Sequence, residues 1–430
     1  VGVHYWRRLS TRCRARNNGP GAVAACCAAT ALAPFSSFLL VLFAMQRRQF
    51  VSLACRTGAA MAAAPAFLPS AHAQDAPGVT ARSITIGCSA PVTGPLLGFG
   101  NEIQQGAGAA IAQINARGGV HGRNVQLQLV DDGYVPERTL ANVKQIIAQG
   151  SALALLSCVG TPNNTAILPV VEEGGIPHVA PLTGAASLRK GMRNTFHVRA
   201  SYTDEVQRLI ERLTGMGLKG LGVVYLDNGY GRELLEVATT SMEKLGVKPA
   251  VQVAVATDGK NLPEVLKAVA AGRPSAVLLA TAGTVSVNLV RGLKAQVPGV
   301  LMACVSVTLP GSSLPQLGDD GSGIALSMIV PDPHRGKLQL VRDYQSAMRA
   351  QGHNELSQGS LEAYVNARVL LEGLERAGKD VTPAKLRTAL AGIRQLDLGG
   401  FVVDYGGQPP YVGSRFLDLG VLGATGRFIA

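Results

Sequence analysis

The chain is poor in charge and in aromatic residues. Charged residues make up 16% of its 430 positions and aromatic residues 5%, with one tryptophan, Trp6. Apolar residues make up 47%, a globular composition that excludes a long disordered tract. Cysteine is scarce and unevenly placed. Cys13, Cys26, Cys27 and Cys55 lie in the first 73 residues, and only Cys88, Cys158 and Cys304 follow. Each of the last three sits in an apolar run, and none belongs to a Cys-x-x-Cys or Cys/His pair. That pattern excludes a disulfide framework and a zinc ligand set, and leaves small buried apolar residues. His121, His178, His197, His334 and His353 are scattered without ligand spacing, so no metal is expected.

The motifs of catalysis are missing too. There is no Gly-x-x-x-x-Gly-Lys-Ser/Thr loop, no His-Glu-x-x-His and no Gly-x-Ser-x-Gly elbow. Gly98-Phe99-Gly100-Asn101-Glu102-Ile103 opens like a dinucleotide fingerprint but lacks the third glycine. Asp131-Asp132, the nearest thing to a carboxylate pair, falls at the end of an alternating run, where aspartates cap the following turn. The sequence therefore predicts no enzyme and no cofactor. The net charge of +12 is concentrated at one end: residues 1–73 hold eight Arg and no Asp, Glu or Lys, which leaves 40 − 8 = 32 basic against 28 acidic residues, or +4. That balance does not make a nucleic-acid surface, and no helix-turn-helix headpiece is present.

What is present at the N-terminal end reads as an address. From Met45 the chain runs Met45-Gln46-Arg47-Arg48-Gln49-Phe50-Val51, continues through an Ala-rich apolar stretch, and reaches Ala71-His72-Ala73-Gln74. A charged start, an apolar middle and an Ala-x-Ala end make a secretory signal over 45–73, and the paired arginines resemble a twin-arginine signal. Residues 1–44 are expected to be an upstream extension absent from the working protein. Ala22 to Met45 is an uncharged run of membrane-spanning length.

From Ile84 strand and helix patterns alternate. Ser83–Cys88, Val125–Val130, Ala152–Cys158 and Ile176–Ala180 read as strands. Apolar residues at helical spacing (Ile103, Ala107, Ala110, Ile111, Ile114, then Leu140, Val143, Ile146, Ile147, then 167–173) lie between them. Near Arg199–Thr203 the alternation restarts, with strands at 221–226, 250–256, 276–280 and 300–305 and helices between. Two further helices, near 338–350 and 360–377, precede a Gly- and Tyr-rich β-like tail. Such alternation predicts an α/β fold of two doubly wound parallel-sheet lobes, with a ligand cleft at the carboxyl edges of the strands. The expected boundaries are 80–198 plus 326–397 for lobe one and 199–325 plus 398–430 for lobe two.

Five short stretches carry a resemblance: Ser89-Ala90-Pro91-Val92-Thr93-Gly94-Pro95; Ile114-Asn115-Ala116-Arg117-Gly118-Gly119-Val120-His121-Gly122; Asp131-Asp132; Glu172-Glu173-Gly174-Gly175-Ile176-Pro177; and Asp227-Asn228-Gly229-Tyr230-Gly231. In this order they resemble the branched-chain amino acid-type solute-binding proteins of ABC transporters, the type I periplasmic-binding fold. The resemblance implies two lobes joined by hinge crossovers, a small-molecule ligand, an ABC transporter permease in the inner membrane as partner, a monomer and a periplasmic location. A ligand-sensing receptor subunit that reports to a regulator is the alternative.

The resemblance also implies site residues. Phe99 stands for the aromatic after the first strand. Thr161 supplies a hydroxyl at a helix start, where N–H groups and the dipole suit a carboxylate; Thr161-Pro162 equally reads as a helix cap. Leu182, Thr183 and Gly184 form the next contact loop, and Tyr230 is the aromatic from lobe two. Where amino-acid-binding members place a second-lobe tyrosine and an ammonium-pairing acid, this chain has Thr281-Ala282-Gly283 and Cys304-Val305-Ser306, so Ala282 and Val305 take those positions. No acid stands there, and a buried ammonium without a partner is costly. A carboxylate without an α-amino group, such as an aromatic or aliphatic organic acid, is therefore the ligand that fits better, with an amino-acid-like compound as the other reading.

Overall fold

The computed structural model describes residues 76–429. The expected extension and signal segment lie outside the described residues. Two sheets, each covered by helices, organise the rest.

Sheet I is built from β1 (Ser83–Ala90), β2 (Asn124–Asp131), β3 (Ala154–Leu156), β4 (His178–Val179), β5 (Thr195–His197) and β13 (Tyr411–Val412), in the order β13-β5-β4-β3-β1-β2. All its pairings are parallel, with Ile86 opposite both Leu127 and Ala154. The helices α1 (Leu97–Asn115), α2 (Pro136–Gln149) and α3 (Thr161–Gly174) connect the first four strands. Sheet II contains β6 (Leu221–Leu226), β7 (Pro249–Val255), β8 (Ala276–Ala280), β9 (Leu301–Cys304) and β10 (Ala325–Met328), all parallel. β14 (Asp418–Leu422) and β15 (Phe428–Ile429) extend it antiparallel, in the order β15-β14-β10-β9-β8-β6-β7. Helices α4 (Tyr202–Gly215), α5 (Gly229–Lys244), α6 (Leu262–Gly272) and α7 (Thr284–Gln296) cover it. Strands buried on both faces must be apolar throughout, and β8, Ala-Val-Leu-Leu-Ala, is buried at every position.

The chain then returns to sheet I with α8 (Gln339–Ala350), α9 (Gln358–Ala377) and α10 (Pro383–Ala391), followed by a small antiparallel pair, β11 (Leu396–Asp397) and β12 (Val402–Val403). Helix α9 lies against α1, and the contact is close because position 106 is glycine. A Cβ there would stand 1.9 Å from the Ser360 carbonyl oxygen. Tyr364 Oη also donates to Gln113 Oε1 at 2.8 Å.

Sheet membership departs from the expected boundaries at two places. β10 pairs with β9, Ala325 opposite Ala303 and Leu326 opposite Cys304, so the second sheet continues past 325. Conversely β13 pairs with β5, and Tyr411 stacks on Phe196 with ring centroids 4.6 Å apart. Residues 411–412 therefore belong to sheet I, whereas the sequence grouped them with the second lobe. Both short strands gain their place from a neighbouring ladder, not from a periodicity of their own.

Three crossings link the sheets, after β5, after β10 and after β13. The first and third run side by side: Gly413 N–H donates to His197 O at 2.7 Å and Ser414 N–H to Val198 O at 2.9 Å.

Candidate functional site

The carboxyl ends of the sheet I strands hold the backbone in conformations that side chains normally avoid. Tyr134 after β2, Ser157 after β3 and Ala180 after β4 have φ of 65°, 53° and 51°. Each such residue costs of order 1–3 kcal/mol, and such strain gathers at binding edges. Tyr134 packs over Gly160, where a Cβ would stand 2.4 Å from its ring.

Helix α3 begins at this edge. Its N-cap is Gly160 and no side chain caps it, so the reading of Thr161 as a helix cap is corrected: Thr161 is already the first helical residue. Its hydroxyl instead meets the Thr183 hydroxyl at 2.8 Å, and both are buried. The Tyr202 ring lies over Gly184, where a Cβ would stand 2.7 Å from it, and the Tyr230 ring meets Tyr202 edge-on at 5.3 Å. Tyr230 Oη donates to Thr281 O at 3.3 Å. Burial pushes Tyr202 up to about 12, so its hydroxyl is neutral at every physiological pH. Thr161, Thr183, Gly184 and Tyr230 thus converge on one buried, uncharged cluster of hydroxyls centred on Tyr202.

Beside this cluster is a narrow cavity, partly open to solvent. Phe99 and Leu182 line it together with Glu102, Ser306, Ser357 and Glu362. Val305 does not line it; its side chain is fully buried, and Ser306, one residue on, takes the place at the wall. Ala282 is also buried and away from this wall; its neighbour Gly283 packs against Leu96 of the first half.

The sequence suggested no acid near Cys304-Val305-Ser306, and the structure corrects this. Glu205 Oε2 accepts the Ser306 N–H at 2.8 Å and the Ser327 hydroxyl at 2.6 Å. Glu205 Oε1 pairs with Arg199 at 3.1 Å, and Arg199 also pairs with Glu362 at 3.3 Å. The guanidinium lies 5.3 Å from the Tyr202 ring centroid. Burial alone would lower Arg199, but Glu362, Tyr202 and Glu205 hold it above its ordinary value. Glu362 is pushed up by burial, with Arg199 opposing. Arg199 stands in the first crossing, whose carbonyls at Arg199 and Ala200 accept from Arg189 at 3.2 and 3.0 Å. Glu205 is therefore fully buried, with both of its oxygens engaged by protein groups.

These charged residues escaped the sequence reading although a signal was there. Glu102 sits on the buried stripe with Phe99, Ile103 and Gly106, and Glu205 shares its face with Leu209. A carboxylate on an apolar helical stripe is the mark of a buried pair.

Asp131 and Asp132 are structural, as read. Asp131 accepts from the N–H groups of Val92 and Gly133, from the Thr93 hydroxyl and from Arg138. These bonds outweigh burial and lower its carboxyl to about 2. Asp132 takes the Ser89 and Thr139 hydroxyls and the Tyr134 N–H.

The two halves touch around the cleft. Glu233 of α5 accepts the Ala186 N–H at 2.7 Å, Gly311 N–H donates to Glu102 at 2.7 Å, and the Thr284 hydroxyl donates to Pro95 O at 3.2 Å.

Two packed α/β halves with a buried site between them define a binding receptor, and comparison with known proteins gives its family. A family model described as periplasmic binding protein matches residues 83–408, and the chain belongs to that non-enzymatic family. Within it the chain is similar, at low identity, to proteins of the Leu/Ile/Val-binding type. It is 24% identical over 362 residues to the Leu/Ile/Val-binding protein BraC3 of Rhizobium johnstonii, covering 81% of this chain and 92% of that one. Similarity to the Leu/Ile/Val-binding protein homolog 3 of Brucella melitensis, 29% over 166 residues, covers 38% of this chain and 45% of that protein. Among solved structures, a substrate-binding periplasmic protein of Ralstonia solanacearum superposes with a TM-score of 0.76 at 27% identity, over 81% of this chain and 99% of that one. A valine-bound branched-chain amino acid ABC transporter protein of Thermus thermophilus shares the fold (TM-score 0.74, 19%, 82% and 96% covered). So does a benzoate-bound solute-binding protein of R. palustris (0.73, 17%, 81% and 95%). Among the described residues no helix is long and apolar enough to cross a membrane.

Proposed function

We propose that this protein is an extracytoplasmic receptor that captures an organic carboxylate between its halves and delivers it to an ABC importer in the inner membrane. The observation that carries the reading is the uncapped N-terminus of α3, where the Thr161 and Thr183 hydroxyls meet at 2.8 Å with no helix-capping duty. A ligand carboxylate takes both hydroxyls in place of their mutual bond, and the helix dipole favours its charge. Valine and benzoate, bound by two proteins of this fold, have a carboxylate as their shared group. The three crossings act as hinges, and the contacts of Glu233, Glu102 and Thr284 across the cleft form as it closes on the ligand. The engagement of both Glu205 oxygens by protein groups supports a preference for acids without an α-amino group. The signal over 45–73 supports delivery to the periplasm.

Calorimetry with butyrate, benzoate, leucine and valine tests this. Hydrogen bonds to a charged group contribute about 1.5–3 kcal/mol. Thr161→Ala should therefore weaken carboxylate binding by roughly ten- to a hundredfold. Tight binding of leucine with no affinity for any deaminated acid, or an unchanged Kd in the variant, refutes the assignment.

A further inference from the structure

The cavity beside the hydroxyl cluster carries more negative charge than its partners neutralise. Arg199 is shared between Glu205 and Glu362, so two carboxylates draw on one guanidinium. Glu102 adds a third on the same wall as Glu362. It is 95% buried, since only 5% of its surface is exposed. Its Oε1 accepts the Gly311 N–H and the Ser357 hydroxyl, while Oε2 has no protein partner. The setting is built around this carboxyl. A Cβ at Gly359 would stand 2.1 Å from Oε2, and one at Gly311 would stand 2.8 Å from Oε1. Two glycines, one from each half, thus make room for the carboxyl, whose Oε2 is buried against Gly359 without a donor.

We infer that Glu102, backed by Glu362, forms a second recognition point that takes a protonated amine at the end of the ligand remote from its carboxylate. This rests on the carboxylate reading above. It makes the preferred ligand an ω-amino acid, with the amine separated from the carboxylate by an apolar spacer along Phe99 and Leu182. An α-amino group sits beside the carboxylate and does not reach Glu102. A buried carboxylate oxygen left without a donor is costly, and a ligand ammonium removes that cost when the cleft closes.

The groups facing Glu102 are Glu362 from α9 with Arg199 behind it, the Tyr344 hydroxyl from α8, and His334 at the cavity wall. Glu355 and Arg427 stand on an outer cleft that Glu102 also lines. Burial raises Glu102 to about 7, with Glu362 adding to the rise and the Ser357 and Gly311 hydrogen bonds opposing it. An amine is therefore held best above that pH, where Glu102 is ionised.

Calorimetry on matched pairs decides the matter: butyrate against γ-aminobutyrate, and para-toluate against para-aminomethylbenzoate. The wild type should bind the amine-bearing member at least about tenfold more tightly at pH 8, and the preference should shrink at pH 5.5. Glu102→Gln keeps an acceptor for Gly311 and Ser357 but loses the charge. It should bring each pair to near parity and abolish the pH effect, whereas any contribution from His334 would survive in it. Equal affinities within each pair, failure of both amine-bearing members to bind, or a preference that persists in Glu102→Gln overturns the inference. Loss of affinity for all four probes in Thr161→Ala, with parity between the members of each pair in the wild type, leaves the carboxylate reading standing and removes only this one.

Discussion

Replacing Arg199 by leucine tests the centre of the cleft directly. Its guanidinium is fully buried and is the shared partner of Glu205 and Glu362, at 3.1 and 3.3 Å. Removing one member of a buried ion pair typically costs about 3–5 kcal/mol, because the charge left behind is unpaired. Against a typical total of about 5–15 kcal/mol, that is a large fraction of the stability. The loss should also depend on pH in a defined direction. Burial already holds Glu362 above its ordinary range, and Arg199 is the group that pulls it down. Without Arg199 burial acts with less opposition and the carboxyl rises further. A group whose pKa is raised in the folded state contributes stability that is present below the unfolded value and is lost as pH rises through the folded one. The deficit of Arg199→Leu should therefore be greatest at pH 8 and shrink toward pH 5, by about 1.4 kcal/mol for each unit of further rise. Urea titrations of both proteins at the two pH values measure this. The contribution of Glu102 is common to both proteins and cancels in the difference. A deficit below about 1 kcal/mol, or one of equal size at both pH values, would refute the ion-pair account and leave packing as the whole effect.

Glu102→Gln should stabilise the ligand-free closed protein at pH 8 and leave it unchanged near pH 4. Burial raises Glu102 from 4.5 to about 7, so its ionisation destabilises the fold as pH climbs through that window, by on the order of 3 kcal/mol. Thermal unfolding across the range checks the sign, and a variant less stable than wild type at pH 8 contradicts it. Cys88, Cys158 and Cys304 are fully buried, and burial pushes the Cys304 thiol up. All three should resist thiol reagents until denaturant is added; rapid labelling of the native protein would show an opening that the fold does not predict.

Much of the fold was legible because helices and strands with a buried face carry their own period. Strands 221–226 and 276–280 appear at the expected residues. The strands that escaped are short. Thr195–His197 and Ala325–Met328 are three and four residues long and hold their places through neighbours. The site was half legible. Thr161, Thr183, Gly184 and Tyr230 meet around Tyr202, because motifs at strand ends fix backbone positions. Glu102, Arg199, Glu205 and Glu362 come from four separate segments, and no local spacing announces that they meet. Val305 and Ser306 show how fine the margin is. The chain leaves β9 at Cys304 and turns at Ser306, and Ser306 and Val307 both line the cavity, so one position separates core from cavity.

The interleaving of the chain between the two sheets bears on how the molecule comes to exist. Tyr411 pairs with Phe196, 411 − 196 = 215 positions earlier, and β14 and β15 then close the edge of the other sheet. Neither half is complete until residues 411–429 have emerged from the ribosome. Synthesis order cannot deliver a finished first lobe to wait for the second, and an incomplete chain exposes open strand edges on both sheets at once. Contacts of such long range close slowly. Maturation is thus nearly all-or-none in chain length, and a cut before β13 should disable both halves together.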